Sequence, residues 1–349
     1  MKIVGAASAF PPHYYSQETL LTALRTYWAE ELPNPDVLNR LHARACVSGR
    51  HLARPLAEYY GFKTFGDFNR VWIESAVQLG SQALCRAVNM AGVSRGDIGA
   101  IFFVSVTGVA SPSIDAKLIN KLKLSPRTKR IPIFGLGCVA GAAGIARAAD
   151  YVKAYPSEVA ALVSVELCSL TIQREDLTVA NLISSGLFGD GAAAVLVAGD
   201  DFDQPGPRII ATRSTFYPGT EDVMGWDISE RGFRIVLSPD VPKVVREHLG
   251  SDVDAFLGEH DLTREDIGAW IMHTGGPKVL EATQEALGID RAALATSWEC
   301  LRQKGNLSSA SVLCVLEEFM TKRRPEPGTW SVLAAMGPGF CSELVLLRW

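Results

Sequence analysis

Apolar runs of strand length, separated by polar, turn-rich segments, recur along the 349 residues of the chain. Ile101 to Val106 is one of them. Such runs are far too short to cross a bilayer, and they read as buried strands. Two of them are approached by the same polar lead. Ser94-Arg-Gly-Asp-Ile-Gly-Ala-Ile-Phe-Phe-Val104 lines up with Thr263-Arg-Glu-Asp-Ile-Gly-Ala-Trp-Ile-Met-His273, 169 residues further on. Each begins with a Ser or Thr suited to cap a short polar helix start, then enters the apolar run. Carried onward, the same offset sets Gly137-Cys138 against Asn306-Leu307. Gly-Cys-Val-Ala-Gly-Ala-Ala-Gly then faces Asn-Leu-Ser-Ser-Ala-Ser-Val-Leu, and both are helix starts built from small residues.

This self-similarity predicts two copies of one β/α unit fused head to tail. Strands alternating with helices imply a mainly parallel sheet in each half. Equivalent helices would pack together at the centre, where small side chains permit close approach. Gly199 to Pro207 is polar and turn-rich and marks the boundary, giving halves of 1–203 and 204–349. Residues 167–190 have no counterpart in the second half and read as specialised loops. Cys138, His273 and Asn306 all fall at ends of equivalent strands or starts of equivalent helices. They are expected to converge between the halves, a common place for a site.

Composition narrows the class. A 48% hydrophobic and 21% charged chain of this length is a globular protein of about two domains. The net charge of −4 offers no electrostatic argument for nucleic acid or an anionic membrane. Seven cysteines, scattered and without a CxxC pair, suggest neither a disulfide framework nor a zinc site. A reducing cytosol is the expected compartment. The N-terminal Met-Lys-Ile-Val-Gly-Ala-Ala-Ser-Ala-Phe-Pro-Pro lacks the long apolar stretch of a signal peptide.

Chemistry concentrates around Cys138, in Gly135-Leu-Gly-Cys-Val-Ala-Gly-Ala-Ala-Gly144. Glycines allow a sharp turn and the close approach of a ligand, and the start of a helix favours thiolate over thiol. Taken alone, Cys138 reads equally as a small buried core residue. His273 ends an apolar run beside Thr-Gly-Gly-Pro, yet by itself it fits a satisfied, partly buried histidine. Asn306 by itself fits a helix cap. Together a thiol, an imidazole and a carboxamide form a chemical set. The nucleophile needs a cationic partner, and a developing oxyanion needs two donors.

Five motifs in order make the resemblance specific. They are the glycine-rich segment around Cys138, Gly186-Leu-Phe-Gly-Asp-Gly-Ala-Ala-Ala194, His273-Thr-Gly-Gly-Pro277, Gly305-Asn-Leu-Ser-Ser-Ala310 and Met336-Gly-Pro-Gly-Phe340. The chain resembles the type III polyketide synthases, the chalcone synthase group of the thiolase-like superfamily. That resemblance implies an α/β, duplicated αβαβα fold with central helices, and an acyltransferase that needs no metal or redox cofactor. It implies that Cys138 accepts an acyl group from a CoA thioester. His273 would keep the thiol ionised and, with Asn306, bind the thioester oxygen of malonyl-CoA as CO₂ leaves. The enolate would then attack the acyl-cysteine in a Claisen condensation.

Further roles follow by position. Phe188 matches the family's gatekeeper phenylalanine, although an aromatic core residue would also fit there. The second gatekeeper position is occupied by Ile235, a departure that implies a more aliphatic entrance. Arg40 and Arg44 match positions that meet CoA phosphates, although a solvated basic helix face reads as well. A third basic position is Val37 here, which Arg50 and Arg54 would compensate. Gly337, Pro338 and Gly339 are expected to shape the cyclisation cavity, which Ser308 and Thr107 line. Val106 stands where plant enzymes carry threonine. With Met224-Gly225-Trp226-Asp227, similar to bacterial enzymes that make alkylpyrones or alkylresorcinols, this points to an aliphatic acyl-CoA starter of medium to long chain. The family also implies a homodimer, with Ser111-Pro112-Ser113 at the subunit contact.

Two rival readings carry their own discriminants. An initiation-type β-ketoacyl carrier-protein synthase shares the fold and the Cys, His and Asn set. It carries an Asn shortly after its His, where this chain has Thr274-Gly275-Gly276-Pro277, and it lacks the Gly-Pro-Gly loop. A cysteine hydrolase would use the same three side chains, but the duplicated architecture and that loop speak against it.

Overall fold

The computed structural model describes residues 1–32 and 34–349. Its strands are β1 Lys2–Ala9, β2 His13–Ser16, β3 Gly49–Leu52, β4 Ile98–Val104, β5 Lys129–Ile133, β6 Val159–Leu167, β7 Asp190–Ala198, β8 Arg208–Phe216, β9 Met224–Ser229, β10 Gly232–Leu237, β11 Ile267–Met272, β12 Trp330–Gly337 and β13 Cys341–Arg348. Nine of them join in the order β11-β12-β13-β8-β1-β7-β6-β4-β5, while β2–β3 and β9–β10 form separate two-stranded ribbons.

The duplication is visible in the sheet. β1 and β8 share a single pair, Lys2 with Arg208, so the nine strands meet at a narrow seam. Outward from it run β1-β7-β6-β4 on one side and β8-β13-β12-β11 on the other. The two repeat segments found in the sequence become β4 and β11, each entered through a capping box, Ser94 with Asp97 and Thr263 with Asp266. Each is parallel to its neighbour, β6 or β12, and each register slips at the same point, between Ile98 and Ala100 or between Ile267 and Ala269.

The mainly parallel sheet expected from strand–helix alternation is corrected. β6–β7, β7–β1, β12–β13 and β13–β8 are all antiparallel. The reason lies in the connections. β12 turns into β13 through residues 338–340, and so short a link can join only antiparallel strands. Residues 167–190 also hold more than loop, since Val179–Leu187 is a helix with Thr178 as its cap.

Burial explains why inner strands such as β4 and β12 are apolar on both faces. On β4, Phe102 and Val104 belong to the inner core while Ile101 and Phe103 belong to an outer one. On β12, Leu333 and Ala335 point inward, and Val332 and Ala334 outward. Successive side chains serve opposite faces, and here both faces are covered. Helices Ala140–Ala154 and Ala310–Thr321 fill the inner layer. A Cβ on Gly141 would lie 2.2 Å from the Ser309 carbonyl oxygen, so the contact between their starts requires a glycine. Helix Phe65–Ala91 covers one outer face, and Val241–Gly258 with Pro277–Leu287 covers the other. Among the described residues no helix is long and apolar enough to cross a membrane.

Candidate active site

Cys138 lies where the chain leaves β5 and enters the central helix. Gly137–Val139 form a short 3-10 turn that runs straight into helix Ala140–Ala154. Gly137 adopts φ 54°, in the left-handed region that favours glycine. A Cβ there would stand 2.7 Å from the ring of Pro338. One on Gly337 would stand 2.6 Å from the Val139 nitrogen. The Gly337-Pro338-Gly339 turn therefore packs directly on the turn that presents the thiol.

From the second half, the end of β11 delivers His273, whose N–H donates to the Ala334 carbonyl at 3.0 Å. The Ser297 hydroxyl holds the preceding Met272 carbonyl at 2.8 Å. Asn306 arrives on an isolated parallel bridge with Phe188. Its N–H donates to the Leu187 carbonyl and its own carbonyl accepts from the Gly189 N–H, both at 2.9 Å. The carboxamide is oriented: Oδ1 accepts from the Ser308 N–H at 2.8 Å and from the Ser311 hydroxyl at 3.3 Å. That leaves the amide NH₂ as a donor. Ser308 adopts φ 47°, a strained conformation for a residue with a side chain. In it the Ser308 hydroxyl accepts from the Cys138 thiol at 3.6 Å.

In this structure the Cys138 thiol's contact is Ser308, and neither His273 ring nitrogen has a partner. Burial pushes the Cys138 thiol up to about 12. The Ser308 hydroxyl and the thiol's own backbone N–H act against this, while buried Glu166 adds to it. Burial likewise pulls His273 down to about 4. Burial thus acts against the charged form of both groups. A neutral imidazole with two open nitrogens can accept a proton at one and donate at the other.

The remaining predicted residues divide. Phe188 and Ile235 do come together, lining a space of about 30 Å³ with Trp226 and Cys168. Trp226 faces Ile235 across the β9–β10 ribbon. Thr107 is buried, and its hydroxyl donates to Glu166 at 3.0 Å. Arg40 and Arg44 stand exposed on and just after helix Pro35–Ala43, without an ion pair among the described residues. Arg50 and Arg54 do not compensate for Val37. Arg50 is only 3% exposed and donates to the Phe188 carbonyl at 2.6 Å, while Arg54 pairs with Glu58 and Glu74. A far larger groove of about 880 Å³ opens between helices Gln17–Tyr27, Pro35–Ala43 and Ala295–Lys304, and none of Cys138, His273 and Asn306 lines it.

Sequence reasoning missed Glu166. It is fully buried behind the nucleophile and accepts from the Ser309, Ser105 and Thr107 hydroxyls and the Val106 N–H. Burial raises it to about 7 in spite of those donors. The available signal was a lone carboxylate in the otherwise uncharged strand Val159–Leu167.

Family models described as chalcone and stilbene synthases match in two parts, an N-terminal domain over residues 5–201 and a C-terminal domain over residues 208–349. A 1,3,6,8-tetrahydroxynaphthalene synthase of Streptomyces peucetius subsp. caesius is 48% identical, covering 99% of this chain and 93% of its own length. A putative chalcone synthase of Bacillus subtilis (strain 168) is 36% identical over 99% and 98%. The crystal structure of 1,3,6,8-tetrahydroxynaphthalene synthase from Streptomyces coelicolor A3(2), a bacterial type III polyketide synthase, superposes with TM-score 0.95 at 34% identity, covering 100% and 99% of the two chains.

Proposed function

The chain belongs to the chalcone and stilbene synthase family, and we propose that malonyl-CoA both primes and extends its polyketide, which closes to a tetrahydroxynaphthalene-type aromatic. As a type III polyketide synthase it is an acyl-transferring, decarboxylative condensing enzyme. The observation that carries the finer reading is 48% identity, sustained over 99% of the chain, to a protein described as making that product.

In the proposed mechanism the Cys138 sulfur attacks the thioester carbonyl. Its proton passes to neutral His273 and on to the departing CoA sulfur. As the next malonyl-CoA loses CO₂, negative charge gathers on its thioester oxygen, where the Asn306 NH₂ and a His273 N–H donate. Two donors aimed at that oxygen lower the barrier in a water-poor site. The enolate carbon then attacks the acyl-cysteine carbonyl, and the Cys138 thiolate leaves. The chain, longer by two carbons, now rests on CoA.

A second reading keeps the aliphatic starter and the alkylpyrone or alkylresorcinol product. Ile235 and Val106 favour it by making the walls apolar. One experiment tests both. Purified enzyme is given labelled malonyl-CoA alone, then with acyl-CoAs from C2 to C20, and products are identified by mass spectrometry. Aromatic product from malonyl-CoA alone supports the first reading. Turnover only when a long acyl-CoA is present overturns it in favour of the second. We also propose a homodimer joined near Ser111-Pro112-Ser113, where Ser111, Pro112 and Val109 are exposed, which sedimentation would check.

A further inference from the structure

We propose that Arg50 is the positioning residue that sets the Phe188 strap in register with Asn306. The proposal rests on the reading of Asn306 as the oxyanion donor and Phe188 as the gate. It starts from the bridge between them. In a parallel bridge the two backbone bonds run from one residue to the neighbours of the other, here Asn306 to Leu187 and Gly189. The N–H and C=O of Phe188 therefore point away from Asn306. The N–H finds the Ser184 carbonyl at 3.0 Å within its own helix. The C=O is left for another donor, and Arg50 Nη1 supplies it at 2.6 Å.

The rest of the arginine is built in. Nη2 donates to Gln17 Oε1 at 3.2 Å, and Gln17 Nε2 donates in turn to the Gly186 carbonyl at 2.8 Å. Two side chains from outside the strap thus hold carbonyls on either side of Leu187, whose own carbonyl receives the Asn306 N–H. The arginine stem lies along the opposite strand of the bridge. A Cβ on Gly305 would come within 3.0 Å of Arg50 Cδ, and one on Gly189 within 3.4 Å of Arg50 Cβ. Gly305 adjoins Asn306 and Gly189 adjoins Phe188, so the same stem spaces both partners.

Charge makes the placement costly to lose. Arg50 is buried, its Nε has no partner, and the opposing charge that acts most on it is Asp190, two residues beyond Phe188. A buried guanidinium holding a backbone carbonyl gives a stronger and more directional contact than a neutral donor. With only one bridge tying the strap to Asn306, loss of that contact frees the strap to slide. The amide would then miss the position where charge develops.

The test uses full-length enzyme and reads CO₂ release from malonyl-CoA per Cys138 site, counted by peptide mass spectrometry of iodoacetamide-alkylated Cys138 because Cys46 is exposed and other thiols are free. Arg50→Met should lower this per-site kcat on the order of a hundredfold, the scale set by a misplacement of about 1 Å, with KM for malonyl-CoA little changed. Arg50→Lys should recover only part, since an ammonium lacks the fork that serves two acceptors. Gln17→Ala should show a smaller loss in the same direction, and it keeps the test open if Arg50→Met does not fold. A loss explained wholly by fewer titratable thiols would mean a merely structural arginine and overturn the proposal. So would unchanged per-site kcat in Arg50→Lys and Gln17→Ala. Asn306→Ala runs alongside. If it keeps full decarboxylation the oxyanion reading itself fails, whereas its loss with intact Arg50 variants overturns the positioning role alone.

Discussion

Adding one methyl group at Gly137 probes how the nucleophile is held. Two costs follow from Gly137→Ala. The residue sits at φ 54°, and an L side chain in the left-handed region costs about 1–2 kcal/mol. The new Cβ would also stand 2.7 Å from both Cδ and Cγ of Pro338, whose ring cannot rotate away. Overpacking of this kind costs about 1–3 kcal/mol. The two together come to roughly 2–5 kcal/mol, read as a lower urea midpoint at constant m value. Replacing the proline separates them. Pro338→Ala removes Cδ and Cγ and keeps Cβ, which lies 4.0 Å from the position of the added methyl at Gly137 and so clears it. In that background Gly137→Ala should cost the strain alone, about 1–2 kcal/mol, leaving a coupling of about 1–3 kcal/mol in the double-mutant cycle. Activity per titrated thiol should fall in Gly137→Ala and recover in the double variant. Equal costs in the two backgrounds would refute the claim that the Gly-Pro-Gly turn buttresses the thiol.

Glu166 predicts a pH dependence of stability. Its folded value, about 7, lies above the ordinary 4.5, so between those values the native state holds a proton that the unfolded state has released. Stability therefore falls as pH rises through that window, by up to about 3 kcal/mol from this group. Urea melts of Glu166→Gln should gain on the wild type by about that amount between pH 5 and pH 8, and a pH-independent difference would show that the carboxylate stays ionised. Cys138 predicts a reactivity profile. With its thiol near 12, iodoacetamide alkylation should keep rising with pH beyond 9, and Ser308→Ala should slow it roughly tenfold by removing a hydrogen bond to the thiolate. A plateau below pH 7 would mean that His273 ionises the thiol after all.

How much of this was legible beforehand depends on the range of each interaction. The repeat of Ser94 and Thr263, the strand-length apolar runs and the small-residue helix starts are written in neighbouring residues, and all appear in the structure at the expected places. Duplication predicts that Cys138, His273 and Asn306 converge, because it brings equivalent ends together; the direct contact in the structure is Cys138 with Ser308, whose N–H the Asn306 carboxamide accepts. Strand direction was misjudged because the alternation of apolar runs does not say whether a short turn or a crossover helix joins them. Arg50 was misplaced for a similar reason. Its neighbours in sequence suggest a basic surface, whereas residues from Gln17 to Gly305 enclose it.

The sequence alone determined the duplicated architecture and the chemical set of thiol, imidazole and carboxamide, because periodicity, capping and glycine placement act over a few residues. Only the tertiary structure decided the company that set keeps and the direction in which burial pushes each of its groups. Whether Cys138 is a thiol, His273 neutral or Glu166 protonated depends on desolvation. Desolvation sums over everything packed nearby, and the segments packed there come from both halves of the chain.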